Sequence, residues 1–292
     1  MQPPFVYYGS KIKVQKEVWS RFGKVRRYIE PFAGSCAVLL GCPYKPKEEI
    51  INDIDGLVTN FWRSAKLNPN EVAHYANNPI NQIELYSKSK QIINERQSLV
   101  EKLKNDPDYY NAKLAGWWLW CMPQSIDTKF TKLMNAKPRV ICCNGIHADR
   151  KRDHIPEIMQ SISERLKHTR VLCCSWKKIL IESNIWHNRG KMVGVFLDPP
   201  YNTSRTDRYR NLYTADECNN QALFNWCMKY YKDCALRIAL CGYEGEYDIP
   251  DTWSTYKWIS SNTPGAKQNL ENREKERIWF SPSCRPCKHK DK

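Results

Sequence analysis

No run of about 18 apolar residues occurs in the 292-residue sequence, and no secretory signal pattern is present. A membrane-spanning helix is therefore not expected. The chain also lacks internal repeats and low-complexity segments, which removes solenoids and repeat arrays. Acidic residues are in short supply: 31 Asp and Glu stand against 46 Lys and Arg, a net charge of +15. That imbalance favours a polyanionic partner, nucleic acid first, although a solvated basic surface also explains it. No disulfide framework is legible in the 13 cysteines, an odd number. The adjacent pairs Cys142-Cys143 and Cys173-Cys174 lie in apolar, strand-like runs. They read as buried thiols of a cytoplasmic protein. A closed zinc site is missing as well. Cys284-x-x-Cys287 with His289 offers three ligands where a structural site takes four, so no metal is expected.

What the sequence does contain is a core and many aromatic rings. Hydrophobic residues make up 41% of the chain, with 11 Trp and 16 Tyr. Such rings beside positive charge suit stacking against bases. Residues 24–60 read as strand, turn, helix, strand, helix, with strands at Val25–Ile29 and Glu49–Ile51 and helices starting near Ser35 and Leu57. From 67 to 168 the character changes. A polar helix is expected from Ile80 to Leu103, with apolar positions at Ile83, Tyr86, Ile92, Ile93 and Leu99, then an aromatic stretch from Tyr109 to Met122 and basic loops to Asp153. Further strands are expected at Arg170–Cys174, Met192–Leu197, Arg237–Cys241, Tyr256–Ser260 and Arg277–Phe280, with a helix from Ala215 to Tyr231. The last two strands have no good helix between them, so an antiparallel edge hairpin is expected.

The fold class is α/β: a mostly parallel, Rossmann-like sheet. Residues 1–66 and 169–284 are expected to form one discontinuous domain and 67–168 an inserted, mostly helical region, followed by a basic tail, 285–292.

Three clusters carry chemistry. Asp198-Pro199-Pro200-Tyr201 follows an apolar strand, where open α/β sheets bind ligands. The prolines donate no N–H, so their carbonyls and the Asp198 carboxylate act as acceptors beside the flat face of Tyr201. A flat ring bearing an NH2 group fits that arrangement; an ordinary strand-ending turn fits it too. Glu30-Pro31-Phe32-Ala33-Gly34-Ser35 ends the first strand and opens a helix without the G-x-G-x-x-G of pyrophosphate binders. Its acid suits a cation better than a phosphate. Asp53, 19 residues beyond Gly34, stands where a doubly wound fold places the carboxylate for ribose hydroxyls. An ammonium, a sulfonium and a ribose together describe S-adenosylmethionine (SAM). A structural crossover with incidental acids explains the same residues.

Pro4 to Lys11, with Tyr8-Gly9-Ser10-Lys11, then Glu30 to Ser35, then Asn52-Asp53-Ile54-Asp55, then Asp198 to Tyr201, resemble in their order the motifs of Dam-type, alpha-group DNA adenine-N6 methyltransferases. The stretches Arg237 to Glu246 and Asn272 to Pro282 are similar to phage and prophage members. The resemblance implies SAM as cofactor and double-stranded DNA as partner, with no membrane role; a monomer is the default expectation. By the same resemblance, Tyr8, Gly9 and Lys11 line the methionine end of SAM, and Glu30, Pro31, Phe32, Gly34 and Ser35 cradle its amino acid moiety. Asp53 holds the ribose, and Ser175 with Trp176 meets the adenine ring. Ser175 stands where the family more often has Asp, and Cys36 where it usually has Gly. A negative φ at Cys36 is expected, as at the start of any helix.

The implied reaction methylates the exocyclic amine of a flipped adenine. Asp198 and the Pro199 carbonyl accept its two hydrogens, Pro200 fixes the turn, and Tyr201 stacks on the ring. Arg205, Arg208 and Arg210, with Arg139, His147, Arg150 and Arg152 of the insert, are candidate DNA contacts. Transfer to the cytosine amine and a catalytically silent SAM- and DNA-binding regulator are the alternatives. Asp198, rather than Ser, favours adenine.

Overall fold

The computed structural model describes residues 1–5, 7, 11–79, 81–124, 154–182, 191–200, 220–259 and 274–286. The candidate DNA contacts Arg139, His147, Arg150, Arg152, Arg205, Arg208 and Arg210 lie outside them, as do Tyr8, Gly9, Tyr201, Cys287 and His289. In chain order the elements are α1 (Gln15–Phe22), β1 (Arg27–Glu30), α2 (Ala37–Leu40), β2 (Glu48–Asn52), α3 (Gly56–Leu67), α4 (Pro69–Ala76), α5 (Gln82–Asn105), α6 (Ala112–Cys121), α7 (Ile155–Leu166), β3 (Thr169–Leu172), α8 (Trp176–Ile179), β4 (Val193–Leu197), α9 (Asn220–Tyr230), β5 (Leu236–Tyr243), β6 (Ser254–Lys257) and β7 (Glu276–Phe280).

The seven strands form one sheet in the order β3-β2-β1-β4-β5-β7-β6. β1 pairs in parallel with β2 and β4, and β4 in parallel with β5. β7 runs antiparallel to both β5 and β6. The expected edge hairpin is present, with its second strand inserted next to β5. β4 is buried along its whole length, which is why Val193 to Leu197 reads as a continuous apolar run. At Gly194 a Cβ would lie 3.2 Å from the Phe22 ring and 3.3 Å from Val25, so a side chain there would require both neighbours to give by a few tenths of an ångström.

The chain divides into two compact units. The first comprises Met1–Gln2, Tyr8–Asn52 and Ser175–Lys292. Its core joins Tyr28 and Ile29 of β1 to Val195 and Phe196 of β4 and Ile238 and Leu240 of β5. Trp19 caps this core from α1, its ring 4.9 Å from Tyr28 and its indole N–H donating to Val38 O at 2.7 Å.

The second unit comprises Pro3–Tyr7 and Asp53–Cys174. Phe5 packs within 4.9–5.7 Å of Phe61, Trp62 and Trp118. Asparagines start three of its helices: the side chains of Asn68, Asn81 and Asn111 accept from the N–H of Glu71, Glu84 and Leu114. The first of these caps, with Pro69 directly after it, opens α4, a helix the sequence reading does not foresee. In α5 the buried seam is Leu85, Ile92, Leu99 and Leu103. Ile83 and Tyr86, expected on the apolar face, are 84% and 47% exposed. Tyr86 is one position from Leu85 and Ile83 is two, which turns them about 100° and about 200° off the seam.

Arg63 ties this unit together. Its guanidinium donates to Val171 O at 3.1 Å, Asp106 O at 2.9 Å and Tyr109 O at 3.2 Å. Among the described residues no helix is long and apolar enough to cross a membrane. The described cysteines are free, with Cys36, Cys121, Cys173, Cys227 and Cys241 buried. Burial pushes the Cys121 thiol up to about 12 and the Cys173 thiol up to about 11. Arg63→Ala removes three hydrogen bonds at once and is expected to lower stability by about 2–3 kcal/mol, read as a drop in the urea midpoint.

Candidate active site

β1 and β4 are neighbours in the sheet, and each carries an acid at its carboxyl end: Glu30 is the last residue of β1 and Asp198 follows β4 directly. Glu30 is 2% exposed and accepts a hydrogen bond from the Tyr28 hydroxyl at 2.9 Å. Burial, and then the Glu30 charge, raise the Tyr28 phenol well above its ordinary value, so it remains a donor.

The loop after Glu30 is held by one asparagine at the end of β2. Asn52 donates from Nδ2 to Pro31 O at 2.9 Å, and its own carbonyl accepts from the Ala33 N–H at 2.9 Å. The backbone then turns sharply. Cys36 N donates to Ala33 O at 2.7 Å, with Gly34 at φ 46° and Cys36 at φ 52°. The negative φ expected at Cys36 is wrong. The bond to Ala33 closes a turn before α2 begins, and Cys36 lies outside the helix as its N-cap, in the left-handed region. A residue with a Cβ carries a strain of about 1–2 kcal/mol there. Ala33, Gly34 and Ser35 are buried with it, and Phe32 is half-buried.

Asp53 follows β2 and is 5% exposed. Its Oδ1 accepts from the Asp55 N–H at 2.9 Å, which orients the carboxylate through its own backbone. Asp55 in turn caps α3 by accepting from Leu57 N and is paired with Arg96 at 3.3 Å. Ser175, where an acid was the more usual residue of the resemblance, is the N-cap of α8 and accepts from the Lys177 N–H. A short hydroxyl side chain suits that cap, and it presents the buried Trp176 as the first helical residue.

The most consequential geometry lies around Asp198. Lys11 Nζ is 2.8 Å from Asp198 Oδ1, and Lys11 is 3% exposed. The Trp258 ring centre lies 5.4 Å from the same ammonium. Burial by itself pulls the Lys11 pKa down; Asp198 first, then Cys241 and Glu276, outweigh it, so the group is raised and stays cationic. The carbonyl of Pro200 accepts from Asn220 Nδ2 at 3.0 Å. Lys11, expected at the methionine end of a cofactor, and Asp198, expected at the target amine, are thus brought together in one ion pair. Trp258, Asn220 and Glu246 were not singled out as site residues. Glu246 stood in the sequence beside Gly245, a turn signal, and Asn220 near the start of a helix; the link from Pro200 through Asn220 to Glu246 has no local signature.

Three parallel pairings around β1 and β4 and an antiparallel β7 inserted between β5 and β6 match the layout of a Rossmann-like methyltransferase fold. The sequence matches the profile of the D12 class N6 adenine-specific DNA methyltransferases over residues 7–274, and the chain belongs to that family. It is accordingly an enzyme that methylates adenine in DNA. Among individually curated proteins, none matches it significantly.

Cys36→Val forces a β-branched residue into the left-handed region at a fully buried position. It is expected to lose about 2–3 kcal/mol, while Cys36→Gly stays within about 1 kcal/mol of the parent; chemical denaturation of the three proteins reads the difference.

Proposed function

We propose that the chain transfers a methyl group from SAM to the exocyclic amine of an adenine flipped out of duplex DNA, with Asp198 and the Pro199 carbonyl as the amine-binding groups. The observation that carries this reading is the Asp198 carboxylate, fixed at the end of the buried strand β4 by Lys11 at 2.8 Å. A carboxylate held in place before the reaction is worth more to catalysis than one that must be ordered during it.

The donor set suits SAM. Glu30 is a buried carboxylate suited to the ammonium, Asp53 a second one suited to the ribose hydroxyls, and Trp176 a buried indole suited to the adenine face. Pro31, Phe32, Gly34 and Ser35 supply a close backbone around the amino acid moiety, and Ser175 presents Trp176. Tyr8 and Gly9 complete the assignment. SAM supplies an electrophilic methyl on a sulfonium. Everything else falls to the protein.

The adenine amine is a weak nucleophile because its lone pair is delocalised into the ring. Accepting one N–H at Asp198 and the other at the Pro199 carbonyl draws the nitrogen toward a tetrahedral shape and frees the lone pair. Positive charge then grows on nitrogen, and Asp198 stabilises it more in the transition state than before. No strong base is required, since the amine proton turns acidic only after transfer. Lys11 aims the carboxylate in this scheme, and its retained positive charge keeps Asp198 from wandering to other donors. Tyr201 is assigned to stacking on the flipped base, which returns about 1–3 kcal/mol of the unstacking cost.

The target-recognition role is assigned to the 67–168 region and the catalytic role to 1–66 and 169–284, with the seven basic residues named above as DNA contacts. The net charge of +15 supports an electrostatic, salt-dependent grip on phosphates.

Asp198→Ala, and the isosteric Asp198→Asn, are expected to lower methyl incorporation into duplex DNA by about a thousandfold while SAM binding, followed by calorimetry, is kept. Wild-type incorporation in the Asn variant would sink the assignment. Affinity for duplex DNA should fall at least about tenfold between 50 and 200 mM salt, in a filter-binding titration. A flat response would remove the phosphate-contact part of the proposal.

A further inference from the structure

The two prolines after Asp198 have no N–H, so the turn cannot be anchored through its own donors. Its carbonyls are the remaining handles, and the proposed mechanism reserves that of Pro199 for the target amine. The next carbonyl, that of Pro200, is gripped by Asn220 at 3.0 Å, from 20 residues further along the chain. Asn220 is 3% exposed and is the first residue of α9. Its carboxamide nitrogen has two hydrogens, and both are used. The second goes to Glu246 Oε1 at 2.8 Å.

Glu246 is itself fixed. Its Oε2 accepts from the Tyr243 N–H at 2.9 Å, and its own N–H donates to Tyr243 O at 3.0 Å, closing a turn that has Gly245 at φ 82°. Gly242 leaves the room this requires: a Cβ there would lie 2.9 Å from Glu246 Oε2 and 2.7 Å from the Tyr247 ring. Tyr247 stacks on Phe224 of α9 with ring centres 5.2 Å apart and meets Trp279 edge-on at 5.6 Å, so the helix carrying Asn220 and the turn carrying Glu246 are packed together.

We infer that Asn220 and Glu246 are positioning residues of the methyl transfer: a carboxamide–carboxylate clamp that holds the Pro199-Pro200 turn through the Pro200 carbonyl. The inference rests on the assignment of Asp198 and Pro199 to the target amine and deepens it. Rotation of the Pro199-Pro200 peptides would move the Pro199 acceptor relative to Asp198, and a displacement of about 1 Å at a reacting centre costs about a hundredfold in rate. Neither clamp residue touches the amine. Their effect is confined to the geometry of the group that does.

The test is single-turnover methylation of duplex genomic DNA free of adenine methylation, with radiolabelled SAM, by the full-length wild type, Asn220→Ala, Glu246→Ala, Glu246→Gln, the double alanine variant and Asp198→Ala. Asn220→Ala and Glu246→Ala are expected to slow the transfer step about 10–100-fold, with SAM and DNA dissociation constants within about threefold of the parent. The double variant should be no slower than Asn220→Ala, because the two residues act in series. Glu246→Gln, which changes only one oxygen to nitrogen, should fall between Glu246→Ala and the parent, since Asn220 and Tyr243 donate to different oxygens of Glu246 and one of the two becomes an NH2 donor. A wild-type transfer rate in Asn220→Ala, with Asp198→Ala inactive, overturns the clamp and leaves the amine site standing. Wild-type rates in both overturn the amine site itself. Parallel losses of melting temperature and SAM affinity that account for the slower transfer, in Glu246→Gln as in the alanine variants, reduce the pair to a fold contact and overturn the clamp as well.

Discussion

The ion pair between Lys11 and Asp198 is the constraint around which the site is arranged. An ammonium taken out of water costs several kcal/mol unless it meets a counter-charge with good geometry. Lys11 is almost fully buried, and Asp198 meets it at 2.8 Å. The carbonyl of Lys11 also receives the Val14 and Gln15 N–H groups at 3.1 Å, so the residue that aims Asp198 also opens α1. The N-terminal segment and the end of the central strand are thereby locked to each other. Asp198 answers to two demands: it balances a buried cation in the resting protein and, in the proposed mechanism, meets a developing cation during transfer.

A second regularity links the two proline-bearing loops at the ends of β1 and β4. Pro31 offers its carbonyl to the carboxamide of Asn52, and Pro200 offers its own to the carboxamide of Asn220, at 2.9 and 3.0 Å. Proline removes the backbone donor that would ordinarily tie such a loop to its surroundings. In both places an asparagine replaces that anchorage from outside, gripping the acceptor that remains. Each proline carbonyl is therefore held although the proline has no N–H of its own to give.

Much of this was legible in the residues. The run from Val193 to Leu197 announced a strand buried on both faces, and the lack of a helix between the last two strands announced their antiparallel pairing. The acids at Glu30, Asp53 and Asp198 stood at strand ends because strand ends are easily read from the apolar runs before them. What escaped was long-range or conformational. The left-handed backbone of Cys36 follows from a turn closed by Ala33, and propensity says nothing of such a closure. Ile83 and Tyr86 looked like core by type, yet the phase of α5 is set by Leu85, Ile92 and Leu99. The meeting of Asn220, Glu246 and Pro200 depends on β4 and β5 lying side by side, which only the assembled sheet provides.

The strand order has a consequence for the protein during its own synthesis. β1 is made well before one of its two neighbours, β4, which follows only after the whole helical stretch between them. At about 5–20 residues per second, that edge of β1 stays unpaired for on the order of ten seconds on the ribosome. Lys11 likewise waits that long for its counter-charge. A half-made chain therefore carries an open strand edge, a template for pairing with another chain, until β4 arrives.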